Sequence, residues 1–293
     1  MSSFPEAIAP SSAATSRGIS AKVQLALVAV VLVVMYWQVI PAMVLDWWQQ
    51  EGYSYGFLIP PLVAYVVWCR RQSIAARPAL FDGRGLWLTG SACLVYLAGR
   101  LAVEFFLTRA SLVLLLAGFV WTFWGLRRLQ VLAFPLILLF SMIPLPTVVY
   151  YQVTAPLQLY STSVATDVVR LLGLTIYRDG NIIYLPNISL GVAEACSGLH
   201  SALSLSVTAL LLGYVECSRF RTKAVLLAIA IPIAILFNIV RIAGTALLAE
   251  YNPELATGFY HSFSGWIVYV AGSVALFAAA RLLRAVLERR PTG

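Results

Sequence analysis

The chain has 293 residues, of which 61% are hydrophobic and only 11% charged, and its mean hydropathy is +0.86. A soluble domain cannot keep that much apolar surface from water, so the composition predicts a polytopic membrane protein. The net charge of +8 does not indicate nucleic-acid binding, because the basic residues lie in short loops between apolar runs.

The apolar runs predict an all-α fold of about eight transmembrane helices. A helix needs roughly 20 apolar residues to cross the hydrocarbon core of a bilayer. We predict a disordered cytoplasmic tail over 1–22, a single transmembrane helical domain over 23–283 and a basic cytoplasmic tail over 284–293. The predicted spans are 23–42, 54–69, 86–103, 110–126, 131–150, 195–214, 224–245 and 263–283.

The distribution of Lys and Arg predicts the orientation of these spans. An N-terminus inside the cell puts most of the 20 basic residues in cytoplasmic segments, as the positive-inside rule requires. The opposite orientation reverses this bias. We therefore predict that both termini are cytoplasmic.

The longest segment between spans, 151–193, is then on the outer side of the membrane. Its apolar residues recur at helical spacing and are separated by polar ones, which predicts an amphipathic helix lying in the membrane interface. The stretch 174–186 carries Asp179-Gly180 between two apolar-aromatic runs, which predicts a small β-hairpin with a type I′ turn. The apolar residues of the amphipathic helix are Leu157, Tyr160, Val164, Val168 and Leu171.

Three chemically competent residues are predicted at the same depth on consecutive helices. Cys196 lies in the first turn of the sixth span, Arg241 near the outer end of the seventh and His261 at the outer start of the eighth. A thiolate is a nucleophile, an imidazole can move its proton, and a guanidinium can stabilise an oxyanion. Together they indicate acyl transfer through a cysteine nucleophile.

Each of these residues also has an ordinary structural interpretation. Arg241 can snorkel to the interface, and His261 can be an interfacial residue beside aromatic ones. His200, four residues after Cys196 on the same helical face, is a rival base. The spacing alone slightly favours His200 over His261, and the residues by themselves do not settle the choice. Two further residues, Glu194 and Asn238, are possible supporting groups.

The remaining cysteines give no sign of a metal or disulfide framework. Their spacings match no zinc-ligand pattern, so we predict neither a metal site nor a cofactor. We interpret Cys69, Cys93 and Cys217 as small packing residues of apolar helices.

Several sequence blocks resemble the signature blocks of the exosortase/archaeosortase family of membrane-embedded cysteine transpeptidases. The order and membrane placement of the blocks match, and the likeness covers roughly residues 36–283. The blocks are EACSGL at 194–199, NIVRI at 238–242, HSFSGW at 261–266, LPN at 185–187 and YSYGFLIPP at 53–61. In the last block this chain has Tyr55 where the family usually has a histidine.

The resemblance implies that Cys196 is the nucleophile, Arg241 the second catalytic residue and His261 the third. It implies substrates that are secreted proteins with a short C-terminal motif similar to Pro-Glu-Pro, a transmembrane helix and a basic tail. The expected reaction is cleavage of this sorting region, with transfer through a thioacyl-enzyme to an amine or to water. The expected location is the inner membrane of an exopolysaccharide-producing bacterium, with the site on the periplasmic side.

Two other classes of function remain open alternatives. A small-solute transporter would line a pathway with polar groups, but transporters usually show internal repeats and midplane sites, and neither is evident here. A non-catalytic membrane assembly factor would carry the same three residues without using them. A Cys196→Ser variant separates these alternatives from an enzyme, because transport or scaffolding should survive the change.

Overall fold

The computed structural model describes residues 21–186, 188–192, 198–252 and 258–288. The chain divides into two units, Met1–Trp37 and Gln38–Gly293, and α1 (Ala21–Tyr36) is the described helix of the first. The second unit contains all the other described elements. Its helices are α2 (Val39–Gln49), the 3₁₀-helix η1 (Glu51–Leu58), α3 (Ile59–Cys69), α4 (Arg71–Ala75), α5 (Gly85–Leu101), α6 (Phe105–Trp124), α7 (Leu126–Phe140), α8 (Thr147–Leu171), α9 (Leu199–Glu216), α10 (Phe220–Tyr251) and α11 (Gly258–Leu287).

The prediction of a mostly helical membrane protein is confirmed. In the described residues, five helical segments are long and apolar enough to cross a membrane, or six if α1 and α2 count as one broken span. Two shorter helices overlap two further predicted spans: α5 covers most of 86–103, and α7 covers the first half of 131–150. The count of eight spans and the orientation stay predictions.

The predicted first span is interrupted between α1 and α2. Pro41 lies in the first turn of α2, where its missing N–H does no harm. In a continuous helix its ring would clash with the carbonyl of Trp37, four residues earlier. The break at Trp37 and Gln38 therefore follows from a proline that the hydropathy of the segment conceals.

Helices α5 and α6 pack closely through small residues. A Cβ on Gly85 would lie 2.4 Å from the Thr122 nitrogen, and one on Gly118 would lie 2.5 Å from Thr89 Oγ1. Lipid tails are as apolar as leucine, so such close packing, rather than hydrophobic burial, drives helix association in membranes. The glycines are therefore what allow this helix pair to approach.

The last three helices form a second packed group with an alanine-rich core. Buried Ala202 and Ala209 of α9 lie in one cluster with Ala230 and Ala234 of α10 and Ala280 of α11. Small side chains let these helices approach, as in other membrane bundles. This core sets the relative positions of the three helix ends that carry the predicted catalytic blocks.

A three-stranded antiparallel sheet and α8 pack on the last turns of α10. The strands are β1 (Tyr177–Asp179), β2 (Ile182–Tyr184) and β3 (Ser189–Gly191), in the order β1-β2-β3. Buried side chains of α8, the sheet and α10 form one core: Ala165, Val169, Ile176, Ile183, Leu185, Val192, Ile239, Ile242, Ala243, Ala246 and Ala249. The end of α10 thus supports the helix and the sheet that precede α9.

The predicted hairpin is confirmed, but its turn type is wrong. Asp179 pairs with Ile182, so the turn residues are Gly180 and Asn181 rather than Asp179 and Gly180. A type I′ turn needs positive φ at both of its central residues. Gly180 has a φ of 59°, but Asn181 is not among the described residues with positive φ. The third strand was not predicted, because three residues carry too little alternation to be recognised.

The predicted amphipathic helix is also present, as the second half of the longer helix α8. Its apolar residues include Tyr160 and Leu171, which are exposed, while the buried face is polar and small. The polar face therefore packs against protein and the apolar face is exposed, as the membrane interface would require. The location of α8 in that interface stays a prediction. The buried residues are Thr154, Gln158, Ser161, Thr162, Ala165, Thr166 and Val169.

The packing interpretation of the three remaining cysteines is only partly right. Cys217 is buried, but Cys69 and Cys93 are exposed, and all three are free thiols. Hydropathy does not reveal which face of an apolar helix meets neighbouring helices and which meets lipid.

Candidate active site

The described residues on both sides of Cys196 are held in place, although Cys196 and Glu194 themselves lie outside the described residues. Helix α9 begins at Leu199, so the predicted start of this span at 195 was four residues too early. Gly198 precedes the helix with a φ of 90°, in the left-handed region that favours glycine. Cys196 is two residues before this glycine in the chain.

The amino-terminal side of this segment is fastened at Val192. The Gln158 side chain of α8 donates a hydrogen bond to the Val192 carbonyl, and Asn181 Nδ2 donates to the same oxygen at 3.1 Å. The Val192 N–H donates to the Asn181 carbonyl at 2.9 Å. The chain therefore leaves the sheet from a fixed point, four residues before Cys196.

Sequence reasoning missed this clamp. Gln158 falls among the polar residues of the predicted interfacial helix, and Asn181 follows the predicted turn at Asp179-Gly180, where it has no assigned role. The sequence did carry one signal: Gln158 lies on the same helical face as several hydroxyl residues, one to two turns away. Such a polar face on a helix favours polar contacts with other parts of the protein. The sequence does not show that Val192 is the partner.

The first two motif blocks meet where α9 begins. A Cβ on Gly198 would lie 3.1 Å from Nδ2 of Asn238, which is fully buried on α10. Asn238 lies one turn before Arg241 on the same helix. The start of α9 is thus packed against the turn of α10 that leads to the predicted catalytic arginine.

The second and third blocks meet between α10 and α11. A Cβ on Gly265 would lie 3.8 Å from Nη1 of Arg241, so the half-buried guanidinium lies over the backbone of α11. His261 is four residues before Gly265, in the first turn of α11. The His261 side chain lies outside what the structure describes, but its turn of helix is the one next to Gly265.

His200 lies in a different environment, among tyrosines. Its Nε2 is 3.3 Å from the hydroxyl of Tyr150 on α8, and its ring lies edge-on to Tyr53 with centroids 5.9 Å apart. Gly52 of η1 lies directly against the imidazole, because a Cβ there would be 2.0 Å from His200 Cδ2. The described contacts of this imidazole are therefore with η1 and α8.

The amino-terminal block is part of the same neighbourhood. Tyr53 accepts a hydrogen bond from the Leu145 N–H at 3.3 Å, which joins η1 to the chain entering α8. Trp47 donates its indole N–H to the Met142 carbonyl at 2.9 Å and lies against Gly56. The block containing Tyr55 thus packs beside the start of α9, a contact between residues about 150 positions apart that spacing does not predict.

No metal-binding group is formed by the described residues, where no set of three His, Cys, Asp or Glu side chains is suitably placed. The described part of this site offers the guanidinium of Arg241, the buried amide of Asn238, and the backbone at the starts of α9 and α11. In the chain, Cys196 lies between Val192 and Gly198, and His261 lies four residues before Gly265.

The comparisons with known proteins give one match. No curated protein and no solved structure matches the chain. The family model described as "Transmembrane exosortase (Exosortase_EpsH)" matches residues 47–278, which is more than half of the chain and includes every block discussed above. On this match, the chain belongs to the transmembrane exosortase family.

Proposed function

We propose that this protein cleaves the C-terminal sorting region of secreted, tail-anchored proteins and passes the new carboxyl end to an acceptor through a thioacyl-enzyme. The family processes sorting-signal proteins in the membrane and is of the cysteine transpeptidase or protease type. The observation that carries the proposal is the pair of contacts Gly198–Asn238 and Arg241–Gly265. They join the three blocks through one turn of α10.

Each residue has one role in the proposed reaction. The Cys196 thiol gives its proton to His261, and the sulfur attacks the scissile carbonyl carbon. The carbonyl oxygen becomes an oxyanion, which Arg241 stabilises. When the tetrahedral intermediate collapses, the C–N bond breaks and His261 protonates the leaving amine. An acceptor amine or water then attacks the thioester and releases Cys196.

His261 is the better candidate than His200 for the proton transfer. His200 contacts Tyr53, Tyr150 and Gly52, on the side of η1 and α8. Arg241 lies against Gly265 of α11, and Gly265 is one turn of helix after His261. A base and an oxyanion stabiliser have to reach the same substrate carbonyl, which favours the histidine on the arginine side.

The reaction is proposed at the outer surface of a bacterial inner membrane. Helix α10 has 32 residues, while roughly 20 are enough to cross the hydrocarbon core. The sheet and α8 pack on its last turns, from Ile239 to Ala249, which agrees with that end lying beyond the hydrocarbon. A substrate whose own transmembrane helix docks against the bundle would present its motif at this level.

Glu194 and Asn238 are assigned supporting roles. Asn238 lies between Gly198 and the turn carrying Arg241, so it can set the distance between nucleophile and guanidinium. Glu194 precedes Cys196 by two residues and is proposed to hold the imidazolium form of His261 or a cationic group of the substrate.

The test is processing of a secreted reporter that ends in a Pro-Glu-Pro motif, a transmembrane helix and a basic tail. Uncut precursor is expected with Cys196→Ala, Arg241→Ala and His261→Ala, and cutting is expected with His200→Phe. Matched controls are Cys69→Ala, which removes an exposed free thiol, and Arg170→Ala, which removes an exposed guanidinium of α8.

A second measurement separates catalysis from folding. Hydroxylamine cleaves thioesters, so it should release the reporter from a covalent adduct with the wild-type enzyme, and no adduct should form with Cys196→Ser. Normal processing by Cys196→Ala would end the thiol mechanism and favour a transporter or an assembly factor instead.

A further inference from the structure

A small cavity lies where α5 passes into α6, away from the residues assigned to catalysis. Its volume is about 230 Å³, and it is lined by the first turn of α2, the last turn of α5 and the first turns of α6. Two arginines, Arg100 and Arg109, line it, and none of the residues that line it is acidic. Because Asp46 is paired with Arg109, the net positive charge of the cavity is that of Arg100.

Arg109 is the buried charge of this cavity. Its side chain is 6% exposed, and Nη2 lies 2.6 Å from Oδ2 of Asp46 on α2. A guanidinium carries five N–H donors, and buried donors are nearly always satisfied. Within the described residues the only other recorded contact of its charged group is with the ring of Phe105, at 5.7 Å. Most of its donors therefore remain for a ligand in the cavity that it lines.

Arg100 supplies a second guanidinium from the last turn of α5. Its side chain is exposed, and the guanidinium forms no hydrogen bond or ion pair with any residue that the structure describes. Gln38 also lines the cavity. Guanidinium groups bind phosphate through parallel N–H···O bonds, and a side-chain amide adds further donors.

The turn beside the cavity has an unusual backbone. Val103 has a φ of 53°, in a region where glycine is usual and a β-branched residue is strained. The Glu104 N–H donates to the Gly99 carbonyl at 2.8 Å, which closes the end of α5 as glycine-containing caps do. Strain of this kind persists where the surrounding structure requires it, and here Val103 forms part of the cavity wall.

The position of the cavity indicates where its ligand comes from. Phe105 lines it and is the first residue of a candidate membrane span, so the cavity lies at the level of lipid headgroups. The apolar side chains of Leu97, Leu101 and Phe105 are exposed along the same helix ends, where acyl chains would lie. Basic pockets between membrane helices commonly bind anionic headgroups.

We propose that this cavity binds a phosphate group, held by Arg100 and Arg109, and that the phosphate belongs to an anionic membrane lipid. The site does not depend on the proposed peptidase chemistry. The Arg109–Asp46 ion pair connects it to α2, which continues into η1 beside the start of α9.

The experiment is native mass spectrometry of the full-length, delipidated protein in detergent, titrated with phosphatidylglycerol or phosphatidylcholine. One phosphatidylglycerol should bind with clear preference over phosphatidylcholine. Arg100→Gln should weaken that binding about tenfold or more, because it removes charge-assisted bonds to phosphate. Ala42→Phe should weaken it similarly by filling the cavity without changing any charge.

The matched control is Arg84→Gln, which removes an exposed arginine at the opposite end of α5. It should bind phosphatidylglycerol like the wild type. Displacement by millimolar inorganic phosphate, but not by sodium chloride of equal ionic strength, would assign the site to phosphate from either source. Bound phosphatidylglycerol that inorganic phosphate does not displace would assign the site to the lipid. Equal binding by the wild type and both cavity variants, or an equal loss in Arg84→Gln, would overturn the proposal.

Discussion

Gly198 is the position where a single added methyl group should most directly disturb the candidate site. In Gly198→Ala the new Cβ faces two costs. The φ of 90° places an alanine in the left-handed region, at a cost of about 1–2 kcal/mol. The Cβ would also lie 3.1 Å from Asn238 Nδ2, and overpacking of this kind costs about 1–3 kcal/mol. Together they predict a loss of about 2–5 kcal/mol in the free energy of unfolding.

The assay combines stability and function. The free energy of unfolding is measured by steric trapping in bicelles, and processing of the tail-anchored reporter is measured on the same preparations. Gly90→Ala is the matched control, because Gly90 lies in α5 with no heavy atom within 4 Å of an added Cβ. It should leave the free energy of unfolding unchanged or raise it by up to about 1 kcal/mol. Gly198→Ala should be less stable and should process the reporter more slowly.

A double variant separates the two costs. Adding Asn238→Ala to Gly198→Ala removes the crowded amide but leaves the backbone strain. The loss in the free energy of unfolding should therefore be smaller in the double variant than the sum of the two single losses, by about 1–3 kcal/mol. Strict additivity, or a Gly198→Ala protein as stable and as active as Gly90→Ala, would refute the argument that α9 starts against Asn238.

Three further results are expected from other parts of the structure. Gln158→Leu removes one of two donors to the Val192 carbonyl and should cost about 1 kcal/mol and slow reporter processing, and unchanged processing would contradict the clamp. Hydrogen bonding, first from the Arg219 N–H, lowers the pKa of Glu288 from its usual 4.5 to about 2. Because the pKa of Glu288 is lower in the folded state, this contribution to stability is present above about pH 4.5 and is lost as the pH falls towards 2. The melting temperature of Glu288→Gln, measured against pH, should lack that part of the wild-type pH dependence. Gly118→Val places a branched side chain where α6 meets α5 and should destabilise the protein by more than about 2 kcal/mol, unlike Gly90→Ala, in the same steric-trapping assay.

Much of the helical framework can be predicted from the sequence, and the reason is physical. Backbone polar groups in a bilayer have to be satisfied within the segment, so long apolar runs such as that of α10 become helices regardless of their neighbours. Turn chemistry is similarly local, and Asp179-Gly180 indicated the hairpin to within one residue. The three-residue strand β3 carried too short a pattern to be seen.

The same locality explains the errors at helix ends. Pro41 divides the predicted first span, and the start of α9 moves from 195 to Leu199, because hydropathy averages over many residues and does not register a single backbone restriction. Gly198 belongs to the block EACSGL, which the sequence analysis singles out. Only the structure shows that its φ is 90° and that Asn238 is the neighbour.

The sequence alone determined the class of protein, the family blocks and the residues able to carry a cysteine mechanism. The tertiary structure decided which of them share a neighbourhood: Arg241 lies against α11 at Gly265, whereas His200 lies among Tyr53, Tyr150 and Gly52. The clamp on Val192 and the arginine-lined cavity between α5 and α6 were likewise absent from the sequence argument. Helix formation in a membrane is a local property, but the choice of packing partner depends on small residues and polar contacts far apart in the chain, and these are defined only once the helices have packed.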